Sequence, residues 1–366
     1  MEQSENDIPS IEKLISSEDD LVKYVVHPKE LNKFEDIYDC LWLYLIFKLA
    51  KLIRDDRAQV RNGTIMTFFS IIHSCSDLKV SWLLIYKITL NSVVMQLKPG
   101  NITSTSTEDQ KNWEESLCHI IEGLGKLYET FLPNFGSDDN IKDESLVIFW
   151  SGLIKYYTEI IDPEMNWIYL NTKVFHTFEN LLECFSTKDN QVKIKPPTEI
   201  TESFLEFWSG VLIKYNLIFV SQFQDFITSY LKCFIPLFVL TKSNIDYKKF
   251  EKMLMIFNTC IRYPLLSESQ RDEIRCTDLQ KTIIANLSHL KFTDPIYESS
   301  LIQQITSIIL LPFSTRDLIE KKIGNKLSSR IPTFIAVSYD AIELLNRNLD
   351  DIEDLTPFLN DKSIMA

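Results

Sequence analysis

The stretch DDRAQVRNGTIMTFFSII, residues 55–72, decides the fold class of this chain. It opens with two acids and two arginines, continues with an Asn-Gly pair and then becomes almost wholly apolar, with large side chains such as Ile65 and Phe69 recurring on one helix face. Asn-Gly is typical of a hairpin turn, but the residues after it lack the alternation of a strand, so we place Asn62 and Gly63 inside a helix. The charged residues then form the turn before that helix.

A structural role explains this charged turn better than a catalytic one. Asp56 is expected to accept amide hydrogen bonds at the start of the helix, with Gln59 as its capping-box partner, and acids suit the positive end of a helix dipole. HEAT repeats typically place an Asp in the turn and a Val-Arg pair at the start of the second helix, and Asp55, Val60 and Arg61 match that spacing. The turn therefore indicates a repeated helical unit.

Apolar residues recur at three and four positions nearly everywhere, and Gly is rare, with 8 residues in the chain. This pattern predicts an all-α fold. The predicted helices, with boundaries uncertain by about 2 to 4 residues, are 36–54, 57–74, 78–97, 109–132, 144–161, 167–186, 199–216, 218–234, 247–262, 278–290, 296–311 and 333–348.

One internal repeat supports a stack of helix pairs. ESLVIFWSG at 144–152 returns as ESFLEFWSG at 202–210. Each copy places a Trp in the apolar stripe of a helix, so Trp150 and Trp208 are expected at equivalent buried positions, each covered by the following helix. Gly is unfavourable inside a helix, so the glycine that ends each copy indicates a close approach by a neighbouring helix.

We therefore predict a HEAT/armadillo-like helical solenoid of antiparallel helix pairs, continuous over 34–348, with an irregular α domain as the alternative. Residues 1–33 are expected to be a helical or partly disordered lead-in. Residues 349–366 form an acidic segment with interleaved apolar residues, which is either a docking segment or the helix that caps the solenoid.

Charge and composition exclude several classes of partner. Lys and Arg total 38 against 51 Asp and Glu, and the net charge of -13 opposes binding to nucleic acid or to anionic lipid. The first residues do not resemble a signal peptide, and apolar runs such as 40–47 are shorter than a membrane-spanning helix needs. A soluble or peripheral protein is expected.

No catalytic, cofactor-binding or metal site is predicted. The motifs of serine hydrolases, zinc peptidases and nucleotide-binding loops do not occur, and GLGK at 123–126 lacks the spacing that holds phosphate. Cys118 and His119 are adjacent and point to different helix faces, so a thiol with its base is not expected there. Five scattered histidines give no zinc-site spacing.

The densest basic stretch is a candidate interaction surface. RDLIEKKIGNKLSSR, 316–330, could contact an acidic lipid or an acidic partner. A solvated connector is the favoured alternative. Its basic residues are Arg316, Lys321, Lys322, Lys326 and Arg330.

Residues 38–72, which join a Leu-Trp helix to the charged turn, resemble a segment of the Mon-two family of large trafficking scaffolds related to the Arf exchange factors of the late Golgi. In that family the helix runs into an Asp-x-Arg-x-x-Val-Arg-Asn-Gly/Ser pattern, and Thr64 stands here where the family usually has Ala. The matching residues are Leu41, Trp42, Asp55, Arg57, Val60, Arg61, Asn62, Gly63, Ile65, Thr67 and Phe69.

The resemblance implies the carboxy-terminal helical region of a non-catalytic scaffold, with Asp55, Arg57, Val60, Arg61 and Asn62 as a structural elbow. It implies a cytoplasmic protein, peripheral on the trans-Golgi network and endosomes and acting in vesicle traffic and protein sorting. The implied partners are a Dopey-type protein, a flippase complex and an Arf-like GTPase, with membrane association through these partners. The alternative is a general HEAT-type adaptor or transport-receptor-like solenoid that binds basic peptides.

Overall fold

The computed structural model describes residues 18–26, 34–74, 82–102, 106–135, 143–161, 167–185, 196–215, 224–262, 274–292, 294–315 and 331–350. Within these ranges all regular elements are helices and none is a strand, so the all-α prediction is confirmed. The chain divides into two compact units. Unit 1 comprises residues 1–184 and 194–203, and unit 2 comprises residues 185–193 and 204–366. The predicted division into a lead-in, a continuous solenoid over 34–348 and an acidic segment stays a prediction.

Unit 1 is built from long helices and one segment of mixed helical geometry. A π-helix, Tyr86–Asn91, and two 3-10 turns, Val94–Gln96 and Pro99–Asn101, follow its shortest α-helix. The α-helices are α1 (Glu18–Val26), α2 (Phe34–Leu52), α3 (Ala58–Ser74), α4 (Trp82–Ile85), α5 (Thr107–Phe135), α6 (Asp143–Ile160) and α7 (Ile168–Cys184). Helix α8 (Thr198–Tyr215) begins in unit 1 and continues in unit 2 from Phe204.

The helices of unit 1 pack in the manner of a helical repeat. Neighbours α2 and α3 pack on each other, and alternate helices α3, α5 and α7 lie side by side with α5 between the other two. The two glycines of α5 permit this contact. An added Cβ at Gly123 would overlap the ring of Phe69 on α3, and one at Gly125 would overlap the side chain of Thr177 on α7.

Unit 2 repeats the alternate-helix packing. Its α-helices are α9 (Gln224–Lys232), α10 (Phe234–Thr241), α11 (Tyr247–Ile261), α12 (Asp278–Ser288), α13 (Pro295–Ile309) and α14 (Ile331–Asp350). Helix α12 lies between α9 and α14, while α11 packs on α13. Stacking of alternate helices is the packing of a solenoid.

Short polar residues fix the starts of three helices in unit 2. The carboxylate of Asp246 accepts a hydrogen bond from Lys249 N at 2.8 Å, and Asp294 accepts one from Ile296 N at 2.9 Å. Thr277 and Gln280 form a complete capping box at the start of α12. These caps satisfy amides that have no partner within the helix.

The repeated tryptophans are buried, as the sequence predicts. Trp150 is 1% exposed and Trp208 is 0% exposed. Trp208 stacks on Tyr230 of α9 with ring centroids 4.9 Å apart, and its Nε1 donates to the Tyr230 carbonyl oxygen at 2.9 Å. The ring contact described for Trp150 is with Tyr128 of α5, with centroids 5.1 Å apart. Cover by the following helix is therefore confirmed for Trp208, whereas the described partner of Trp150 comes from the preceding helix.

The two repeated glycines differ. An added Cβ at Gly152 would overlap the hydroxyl of Tyr86, so the predicted close approach is confirmed there. At Gly210 an added Cβ would meet nothing within 4 Å, and the same prediction is wrong. Similar sequences thus end in different packing environments.

The structure departs from the predicted helices in two places. In the described part of the predicted helix 78–97, residues 82–97, the structure has α4, the π-helix and a 3-10 turn. The hydroxyls of Thr89 and Ser92 bond back to carbonyl oxygens four residues earlier and compete with regular helix geometry. Over 218–234 the described helix starts at Gln224, and a second helix begins at Phe234. Pro236 lacks the N–H that would continue the first helix into the second.

One apolar stretch in the described residues, Asp225–Asn244, is long and apolar enough to cross a membrane by length and composition alone. It comprises α9, α10 and the turn after them, and 61% of its most apolar window is buried inside the protein. Its side chains Phe226, Tyr230 and Leu237 are fully buried in unit 2. A core helix passes the same test, so the stretch is weak support for a membrane span.

Candidate functional site

The charged turn lies between the end of α2 at Leu52 and the start of α3 at Ala58. The carboxylate of Asp55 accepts from the backbone N and from Nε of Arg57, both at 2.9 Å, and its second oxygen lies 2.9 Å from Arg57 Nη2. These hydrogen bonds lower the pKa of Asp55 to about 2. Asp55, one residue before the expected Asp56, therefore makes the side-chain hydrogen bond that orders the turn.

Arg61 is the buried member of the motif, 1% exposed. Its guanidinium carbon lies 3.6 Å from the ring centroid of Trp113 on α5. Nε donates to Ser116 Oγ at 2.8 Å, and Nη1 donates to the carbonyl oxygens of Asp55 at 2.8 Å and Asp56 at 3.2 Å. Burial lowers the pKa of Arg61, but a guanidinium remains charged in proteins. The charge is enclosed between the turn and α5.

Asn62 extends this network. Its Oδ1 accepts from Ser116 Oγ at 2.5 Å, and the same hydroxyl lies 2.8 Å from the Asn112 carbonyl oxygen. A hydroxyl has one proton, so Ser116 donates to one of these acceptors at a time while it accepts from Arg61. Val60, the remaining motif residue, is half-buried.

The structure thus divides the motif into two groups. Asp55 and Arg57 pair at the surface, where 75% of the Arg57 side chain is exposed. Arg61 and Asn62 join Ser116 and Trp113 of α5 to form the Arg61 cluster, which ties α3 to α5. Sequence reasoning missed Trp113 and Ser116. Their i, i+3 spacing on a predicted helix was the signal that could have drawn attention to them.

The neighbours Cys118 and His119 differ in burial on α5. Cys118 is buried, and burial raises the pKa of its thiol to about 12, so it is protonated at neutral pH. His119 lies on the partly exposed side of α5, 3.9 Å from Glu115 and from Glu122. Among the residues that the structure describes, no three His, Cys, Asp or Glu side chains converge as a metal site would require.

Two predicted surfaces lie outside the described residues. The basic stretch, with Arg316, Lys321, Lys322, Lys326 and Arg330, falls entirely between α13 and α14 in residues that are not described. The acidic segment is described only as far as the end of α14 at Asp350.

Comparison with known proteins identifies a relative. The chain is 29% identical over 331 residues to "Protein MON2" of Saccharomyces cerevisiae, an alignment that covers 87% of this chain and 19% of that protein. The chain thus spans about a fifth of the length of the curated relative it matches. No family model matches the chain, and no solved structure matches it. The alignment supports the resemblance described above: over most of its length the chain is similar to Protein MON2.

Proposed function

We propose that this chain is a non-catalytic protein-interaction scaffold in vesicle traffic and protein sorting between the Golgi and endosomes. The observation that carries the proposal is the relation to Protein MON2 over 87% of the chain. The Mon-two family resemblance implies the trafficking role, a cytoplasmic location and peripheral association with the trans-Golgi network and endosomes.

The geometry of the motif supports a scaffold. The donors of Arg61 are directed at Ser116 and at two backbone carbonyl oxygens, so the charge holds α3 against α5. Cys118 is kept protonated by burial. Helices stacked in this way present long outer faces, which repeat proteins use for binding.

The proposed partners are proteins. By resemblance they include a Dopey-type protein and, through it, a flippase complex, together with an Arf-like GTPase. The net charge of -13 disfavours direct contact with anionic lipid, so we propose that membranes are reached through these partners.

Affinity purification of the tagged chain from cells, followed by mass spectrometry, tests the proposal. The matched control is a tagged, unrelated helical solenoid of similar length and net charge. We expect a Dopey-type protein and its flippase to be enriched with this chain and not with the control. Enrichment of proteins that share only basic segments would contradict the proposal and favour a general HEAT-type adaptor.

A further inference from the structure

Helix α2 is apolar on two opposite faces. Its inner face is buried and includes Leu43, Ile46 and Ala50, each 0% exposed. On the opposite face Leu41 is 49% exposed, Leu45 60% and Leu52 49%. Apolar faces of helices are normally buried, so this outer face stands out as an apolar face exposed among the described residues.

The exposed leucines form a row. They stand at i, i+4 and i+11, which a helical period of 3.6 residues places within one narrow stripe. From Leu41 to Leu52 the stripe runs about 16 Å along the helix at 1.5 Å per residue. Half-buried Trp42 and Leu49 border it on one side. Single exposed leucines are ordinary, but a bordered row of this length is a patch of the kind that binds a partner.

Two lysines give the stripe a local positive charge within an acidic chain. Lys48 lies in the row between Leu45 and Leu52, and Lys51 lies at its edge; both are exposed. Their ammonium groups lie over aromatic rings of the same helix, 4.9 Å from the Tyr44 centroid for Lys48 and 4.6 Å from the Phe47 centroid for Lys51. Both rings lie on the side of α2 opposite Trp42 and Leu49, so the two lysines border the stripe on its other side.

We propose that this outer face of α2, defined by Leu41, Leu45, Lys48 and Leu52, docks an amphipathic partner helix whose apolar stripe is bordered by acidic residues. A straight row of leucines matches the apolar stripe of a helix laid along α2. Acidic borders on the partner complement Lys48 and Lys51. Two lysines attract an anionic bilayer only weakly against the repulsion of an acidic chain, so a protein helix is favoured over a membrane.

This inference deepens the proposed scaffold function and rests on it, but its test needs neither cells nor membranes. The probes are two fluorescent, helix-stabilised peptides of about four turns with the same leucine stripe, one bordered by Glu and one by Lys. Fluorescence anisotropy measures their binding to the full 366-residue chain at physiological salt. We expect the Glu-bordered peptide to bind about tenfold more tightly than the Lys-bordered one.

Three variants locate the site. Leu45→Ser removes an exposed side chain and should weaken binding of the Glu-bordered peptide about tenfold while leaving the melting temperature unchanged. Lys48→Glu should reverse the preference between the two peptides. Met255→Ser, at a position 58% exposed on α11, is the matched control and should leave binding unchanged.

Three results would overturn the inference. The first is equal binding of the two peptides by the wild type, and the second is Glu-bordered binding that survives Leu45→Ser. The third is co-sedimentation of the chain with phosphatidylcholine–phosphatidylserine vesicles that is lost in Leu45→Ser, which would make this face a membrane contact. The peptide test concerns only the α2 face, and the purification from cells concerns the scaffold function. A negative peptide result therefore does not contradict the scaffold function.

Discussion

At the scale of single residues, Arg61 shows how a buried charge is accommodated. Removing a guanidinium from water is costly unless its donors find acceptors. Here the face of Trp113 covers the charge, and a hydroxyl and two carbonyl oxygens accept its hydrogen bonds. The same contacts close the turn and attach it to α5, so one side chain links the local structure of the elbow to packing between helices.

Replacement of Arg61 should therefore destabilise unit 1. We expect Arg61→Ala to lower the free energy of unfolding by about 2 to 4 kcal/mol, because it removes charge-assisted hydrogen bonds and a cation–π contact and leaves a cavity beside Trp113. Hydrogen exchange measured by mass spectrometry should show lost protection in α3 and α5. Arg61→Lys should rescue little, since an ammonium cannot reproduce the planar fork. Unchanged protection in Arg61→Ala would refute the structural role.

The pKa of Asp55 gives the turn a defined pH dependence. It is lowered to about 2 from the ordinary value of 3.8 by hydrogen bonds from Arg57. A lowered pKa in the folded state means that the carboxylate stabilises the fold above pH 3.8 and that this contribution is lost as the pH falls through 2. The melting temperature of Asp55→Asn should therefore lie below that of the wild type at pH 6, with a gap that narrows from pH 4 downward. A gap that is independent of pH would show that the charge is irrelevant.

The choice between Asp55 and Asp56 shows where sequence reasoning stops at this scale. Two adjacent acids precede the helix, and the local pattern does not show which one is used. The observed bond, from Arg57 N to Asp55, lies in the turn before the first helical residue, Ala58, and is not the predicted helix cap. Ser116, which accepts a hydrogen bond from Arg61, lies 55 residues further along the chain. A contact so distant in sequence depends on packing, which the local pattern does not contain.

At the scale of elements, close contact between helices depends on glycine. Helix α5 can pack against both α3 and α7 because Gly123 and Gly125 leave room for Phe69 and Thr177. In the sequence these glycines belong to GLGK, which suggests a phosphate-binding loop but lacks the spacing of one. Their role in packing depends on side chains of two other helices, Phe69 and Thr177, which the local sequence does not identify.

Gly123 on α5 and Gly63 on α3, two helices that pack on each other, provide a matched test of this packing. Gly123→Ala should destabilise unit 1 by about 1 to 3 kcal/mol, because the new methyl group overlaps the Phe69 ring. Gly63→Ala in α3, where an added Cβ meets nothing within 4 Å, should stabilise it by about 0.5 to 1 kcal/mol through helix propensity. Chemical denaturation of both variants measures the difference. Stabilisation of both to the same extent would contradict the close approach.

Periodic helices were predictable, whereas their interruptions were not. Helix α11 was expected over 247–262 and is observed as Tyr247–Ile261, because a strong apolar stripe and a polar cap at Asp246 agree. Helix α10 and the π-helix over Tyr86–Asn91 were not predicted. In the π-helix, hydroxyl groups such as that of Thr89 compete for backbone carbonyl oxygens. The spacing of apolar residues, on which the helix predictions rest, carries no information about such hydrogen bonds.

At the scale of the whole molecule, charge and surface argue for protein partners. The chain carries -13 net charge, and within its described residues the outer face of α2 combines exposed leucines with exposed lysines. The alignment with Protein MON2 covers most of this chain and about a fifth of that protein. The family resemblance supplied the expected role, since neither composition nor helix pattern distinguishes a trafficking scaffold from another helical adaptor.

We propose that this chain reaches Golgi and endosomal membranes through protein partners, and its recovery in membrane fractions tests this proposal. The tagged chain is measured in Golgi and endosomal fractions from cells that contain or lack the Dopey-type protein, and the purified chain is sedimented with anionic liposomes at physiological salt. We expect recovery with the membranes only when the partner is present, and no sedimentation with liposomes. Salt-sensitive binding to liposomes that is abolished by neutralising Lys321, Lys322 and Lys326 would contradict the claim, as would membrane recovery that is indifferent to the partner.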